Sequence, residues 1–412
     1  MPSAFGWLDH DEAERRKMLE VINLFREKGT VDELGIGTIR DAFADHFFPG
    51  TSTIQTRTRY FLLVPWVYLR IEEERVPSAQ AGSRARRYQA ELAYALRAGG
   101  GTEAGGVIGI QAGENLQRPP SIVYWAGLRR WGIRHFDGSM EQYHAALDGI
   151  YRAERGGLRS DDGERELIEA TRRTWHAGIP DPPEDLWETA TLALTHFEAT
   201  YLQERILLSA PGTLLAWLVE RLPAVDGVRA PWGLPYLEQL PPDLGADVEH
   251  ARCFSLAVAG APILYNLMLA ERSVSERISA DTDRIEQYRS ELASWTDEFR
   301  HDPRLKRWTT ANFWATTYRI LPRLRPATFR FASRWIDQAG ALSGDVADDR
   351  ELRQLISARE RAMKGQLARL HFRHPLERWN GRSGISRLTY RWGEAATVTG
   401  DIRQGLRNGA RA

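Results

Sequence analysis

The feature that most limits what this chain can fold into is the spacing of its apolar residues, which recurs at three and four and hardly ever at two. Met18, Ile22 and Phe25 form one such stripe within Asp9–Lys28. Trp187, Ala190, Leu194, Phe197 and Tyr201 form another within residues 184–208, and Leu352, Ile356, Met363, Leu367 and Leu370 a third within residues 351–379. Spacing of this kind places apolar side chains on one face of a helix. The chain is therefore expected to be mainly α, a multi-helix protein with little β. Pro49-Gly50, the glycine-rich stretch 99–120, the polar break Gly156–Gly163 and the proline-rich stretch 223–242 punctuate the pattern. They suggest an N-terminal helical region over 1–155, a central one over 156–245 and a C-terminal one over 246–412. Thr51–Ser52–Thr53 offers N-caps for a helix running through Arg59 and on past Pro65, which should kink it.

The chain has 412 residues, 42% of them hydrophobic, enough for a sizeable core. Its 55 basic and 55 acidic residues cancel, so any attraction to nucleic acid must be local. Arginine accounts for all but four of the basic residues, which are Lys17, Lys28, Lys306 and Lys364. One cysteine, Cys253, permits no internal disulfide and fits a reducing, cytoplasmic setting. The N-terminus lacks the pattern of a secretory signal. The apolar run Cys253–Ala270 is interrupted by Ser255, Gly260, Pro262 and Asn266 and reads as a buried core helix rather than a membrane span.

Familiar catalytic motifs are missing. The residues after the four lysines are Met18, Gly29, Arg307 and Gly365, so no phosphate-binding Walker loop is present. No HExxH or GxSxG occurs, and a thiolate zinc site is impossible with one cysteine. No cofactor or metal is expected, and the reading leans away from an enzyme.

Two segments fit the helix-turn-helix or winged-helix style of DNA contact. One is Thr51–Arg59, where Arg57 and Arg59 would hold phosphates and Gln55 would read a base edge. The other is Ser121–Trp131 with Arg129 and Arg130, followed by the polar turn RHFDGS as a wing. A third candidate is the C-terminal run in which Arg369, Arg373, Arg378, Arg382, Arg387 and Arg391 interleave with Phe372, Trp379, Tyr390 and Trp392. Each segment also has a plainly structural reading, because hydroxyls cap helices and arginine stems cover apolar surface.

The blocks FGW, RRKMLEVINLFREKGTVDELGIGTIRDAFAD, FPGTSTIQTRTRYFLLVPWVY, YNLMLAE, RAMKGQLARLHF, LERWNGRSG, LTYRWGEA and DIRQGL span nearly the whole chain. In them the chain resembles an uncharacterised bacterial family known as a domain of unknown function. The resemblance implies gene neighbourhoods with helicases or phospholipase-D-like nucleases, as in antiphage defence islands. It implies no catalytic residues. The expected function is a non-catalytic component of a bacterial antiphage defence system that binds DNA or couples a helicase or nuclease subunit to its target, with no membrane partner. A protein–protein scaffold and an unrecognised metal-dependent nuclease or hydrolase stand as alternatives.

Overall fold

The computed structural model describes residues 32–100, 105–109, 118–157, 174–384 and 386–409. The helix expected over Asp9–Lys28 lies outside them. The helices are α1 (Gly37–Phe47), α2 (Tyr60–Glu73), α3 (Ser78–Ala98), α4 (Pro120–Arg130), α5 (Met140–Gly157), α6 (His196–Ser209) and α7 (Leu214–Arg221). They continue as α8 (Pro242–Val258), α9 (Gly260–Ser275), α10 (Asp283–His301), α11 (Thr310–Ile320), α12 (Pro326–Ala341), α13 (Arg350–Lys364), α14 (Arg373–Glu377) and α15 (Trp392–Gly409). The fold is thus mainly α. Among the described residues no β-strand forms. The turn expected as a wing instead makes an isolated bridge, Arg134 to Trp175.

Two compact units divide the chain. The first takes residues up to Asp41 and Glu249–Leu388; the second takes Ala42–Val248 and everything from Thr389 onward. The units interleave along the sequence, whereas composition marks consecutive regions.

In the first unit α9 is the central helix, packed by α10, α13 and α14. Trp295 of α10 lies against Gly260, where a Cβ would come within 2.5 Å of the ring. Only glycine permits that approach. The indole N–H groups of Trp295 and Trp335 donate to the carbonyls of Leu256 and Ala257, at 2.8 and 3.0 Å. Those carbonyls lie in the last turn of α8, where helical partners run out; the Leu256 carbonyl also accepts from the Ala259 N–H, at 3.3 Å. The apolar run therefore belongs to two helices rather than one. Within Pro242–Ser275 its most apolar window has a mean hydropathy of 1.7 and is 89% buried.

In the second unit α2 is buried from Tyr60 to Tyr68, and α3 and α4 pack on it. Tyr68, Trp125, Tyr143 and Trp175 meet edge to face or stacked, with ring centres 5.3–6.0 Å apart. Helices α6, α7 and α15 pack on one another. Gly405 makes this possible, because a Cβ there would lie 2.7 Å from that of Ala199 and 2.9 Å from that of Leu194.

Three expected helices end differently, each for a local reason. Residues 51–59 form turns, and α2 starts only at Tyr60 with Pro65 inside it. There the Thr51 hydroxyl donates to the Phe48 carbonyl, while Gln55 accepts from Ser52 N–H and donates to the Gly50 carbonyl. Short polar side chains thus satisfy the backbone in place of helical bonds. The stripe from Trp187 is helical only from His196, because Thr195 and Glu198 close a capping box at that point. The helix expected through Trp379 stops at Lys364, where Gly365 takes φ 53°.

Candidate nucleic-acid interface

Six of the predicted contact residues lie in the second unit. Gln55 is spent on its own turn, as above. Arg57 forms a bidentate pair with Asp401, with its closest approach 2.9 Å. Arg59 is buried, 2.6 Å from Glu198, and also donates to the Thr191 carbonyl at 2.8 Å. It is therefore a core ion pair. Arg391 pairs with Asp45 at 2.5 Å and donates to the Thr51 carbonyl. Arg129 is exposed and pairs with Asp137 at 3.2 Å. Arg130 is exposed, and its side chain makes no hydrogen bond or ion pair among the described residues.

The other five lie in the first unit. Arg369 joins a buried network: it pairs with Glu33 at 2.7 Å, and Lys364 binds the same carboxylate. Beside it the fully buried Glu360 accepts from the Tyr265 hydroxyl at 2.5 Å and from the N–H groups of Arg369 and Leu370. Arg373 pairs with Glu377 at 2.9 Å, and Arg387 pairs with Glu298 at 2.5 Å. Arg378 and Arg382 are exposed, with guanidinium groups that make no hydrogen bond or ion pair among the described residues. The eleven residues thus fall in two units, and most of their charges are already met by carboxylates.

A different surface of the first unit carries unmatched positive charge. Between Pro303 and Ile336 there is no Asp or Glu, but there are Arg304, Lys306, Arg307, Arg319, Arg323, Arg325, Arg330 and Arg334. All eight are exposed. Arg304 pairs with Glu249 at 3.0 Å. Among the described residues, Lys306, Arg307, Arg323, Arg325, Arg330 and Arg334 make no side-chain hydrogen bond or ion pair. They sit on successive elements: the turn before α11, residues 321–325 between α11 and α12, and α12 as far as Arg334.

The core fixes these elements from beneath. Phe313 stacks on Phe254 with ring centres 4.5 Å apart, and Trp314 meets Phe329 edge-on at 4.7 Å. Leu324 plugs the connecting turn, and Pro326 occupies the first helical position of α12. Arg330 and Arg334, one turn apart, stand outside the buried stripe of Phe331, Ala332, Trp335 and Ile336. Asp302 anchors the start of the stretch, accepting from the N–H groups of Arg304 and Leu305 and from Arg252 at 2.5 Å. Burial alone would raise the pKa of its carboxyl; the Arg252 bond and the two N–H groups outweigh that and hold it below the usual range. Tyr318, 43% exposed, leaves an aromatic ring beside the arginines.

This surface lies outside the segments where arginines interleave with aromatics or follow a polar helix start. The legible signal was the absence of acid over a long window. Cys253, by contrast, behaves as expected of a buried thiol: burial pushes its pKa up to about 12, far from a reactive thiolate.

A family model described as "Family of unknown function (DUF6361)" matches residues 2–405. No curated protein and no solved structure matches the chain.

Proposed function

This chain belongs to the family of unknown function DUF6361, and we propose that it is a non-catalytic DNA-binding protein that grips the phosphate backbone with the α11–α12 surface of its first unit. The observation that carries this is the acid-free stretch between Pro303 and Ile336, with six exposed cations that have no side-chain partner among the described residues. Unpaired guanidinium groups exchange condensed counterions for phosphates, which is the main source of sequence-independent DNA affinity. The setting we infer is a cytoplasmic, bacterial antiphage system in which the chain holds a helicase or nuclease on its target. That part rests on the resemblance of the sequence blocks.

The test is fluorescence anisotropy with labelled duplex DNA across a salt series. Six phosphate contacts give a slope of log affinity against log salt of about −5. Replacing Arg323, Arg325 and Arg330 together by Gln should flatten that slope by about 2.7 and leave the thermal melt in place. Absence of duplex binding at low salt, or an unchanged slope in the variant, overturns the reading.

A second reading, a protein–protein scaffold, draws support from α6. Phe197 and Leu208 are 68% and 72% exposed, and a spacing of eleven residues puts them on one face. A stable complex with a partner protein, together with no DNA affinity, would favour it.

A further inference from the structure

The second unit contains a polar groove of about 690 Å³, within the range of small-molecule sites. One wall is the last half of α15, where Arg403 and Gln404 are followed one turn later by Arg407 and Asn408. Arg57 and Asp226 also line it.

Part of the groove is built and rigid. The Tyr124 hydroxyl, deep in the core, accepts from the N–H groups of Thr56 and Arg57 and donates to the Arg57 carbonyl. Asp401 accepts from both Arg57 and the Thr58 N–H at 2.9 Å. The Thr56 hydroxyl donates to the Gly106 carbonyl at 2.6 Å. Gly106 has φ 89°, and a Cβ there would lie 2.9 Å from the Arg57 stem. Only glycine suits that position.

The remaining charges are unsettled. Arg57 and Asp401 neutralise each other. Among the described residues, the side chains of Arg403 and Arg407 meet no hydrogen-bond or ion-pair partner, although two carboxylates line the same groove. Like charges one helical turn apart repel and destabilise the helix. An anion between them would remove that cost and receive charge-assisted bonds from both forks.

We propose that this groove binds a phosphate ester of about nucleotide size, with its phosphate on Arg403 and Arg407. The amide groups of Gln404 and Asn408 and the carboxylate of Asp226 then face the rest of the ligand. Asp226 repels a second phosphate and accepts from hydroxyl or amino groups, so the body of the ligand is a polar, nucleoside-like group. The site is separate from the α11–α12 surface and does not depend on its function.

Isothermal titration at low salt tests this with three probes: adenosine monophosphate, inorganic phosphate and a short 5′-phosphorylated oligonucleotide. Adenosine monophosphate should bind more tightly than inorganic phosphate. Replacing Arg403 and Arg407 together by Gln should weaken it about tenfold or more. The Arg323, Arg325, Arg330 variant should bind it like wild type. Should the double variant fail to fold, Arg407→Gln alone, at an exposed position, carries the comparison. Binding of the 5′-phosphorylated oligonucleotide but not the mononucleotide would overturn the small ligand and leave a strand end as the source of the phosphate. No binding of any probe, or equal binding by wild type and variant, overturns the site.

Discussion

Among the described residues no cation pairs with Glu72, a half-buried carboxylate. One of its oxygens accepts from the Tyr143 hydroxyl and from Thr174 at 2.5 Å. Burial raises its pKa above the usual 4.5, and the hydroxyl bonds offset only part of that. The sign of the effect on stability follows. From pH 4.5 up to the folded-state value, the unfolded chain has released this proton and the folded chain still holds it. Rising pH across that window therefore costs stability, and the loss persists at neutral pH. Glu72→Gln keeps an oxygen for both hydroxyls and removes the titration. Its stability relative to wild type should grow as pH rises above 4.5 and then level off, as read by urea midpoints at several pH values. A difference that stays flat with pH would show that Glu72 titrates as it does in water. The same contrast between met and unmet charge separates Arg59, whose partner Glu198 is equally buried, from Arg330, which has none among the described residues. Arg59 would be a poor probe of DNA binding, since removing it strands a buried carboxylate.

Among elements, the helix period was the reliable signal. Leu352, Ile356 and Met363 of the third stripe fall in α13, and the apolar run Cys253–Ala270 is helical except at Ala259. The misses share one cause. At Thr51–Arg59, at Thr195 and at Gly365, a single side chain or a single positive φ settled the backbone, and apolar spacing carries no record of such bonds. Arginine positions were legible too, but their carboxylate partners were not: Asp401 lies 344 residues from Arg57. Gly405 shows tertiary packing overriding propensity. On an isolated helix Gly→Ala gains about 1 kcal/mol. Here the added Cβ meets Ala199 and Leu194 inside normal contact distance. Overpacking of this kind costs about 1–3 kcal/mol. Gly405→Ala should therefore destabilise the protein by about 1 kcal/mol net, visible as a lower urea midpoint. A stabilised variant would mean that α15 shifts away from α6 without cost.

At the scale of the whole molecule, the order of the units cannot be read from composition, because breaks in composition are consecutive and the units are not. The chain leaves the second unit at Val248, completes the first, and returns at Thr389. The returning segment has real weight. Trp392, Ala395, Val398 and Ile402 of α15 are buried, and the Trp392 indole donates to the Val228 carbonyl at 2.7 Å. At about 1.5–3 kcal/mol per large apolar side chain, losing them removes about 5 kcal/mol. That is a large share of the 5–15 kcal/mol, roughly, that keeps a domain folded. A chain ending at Leu388 should therefore lose the second unit while retaining the first, even though the first is nearer to the cut in sequence. Hydrogen exchange followed by mass spectrometry reads this directly. Amides of α6 and α7, which pack on α15, should lose protection, and those of α9 and α10 should keep it. Protection retained in α6 and α7 would mean that α15 is an appendage, and the groove along it would then have no rigid wall.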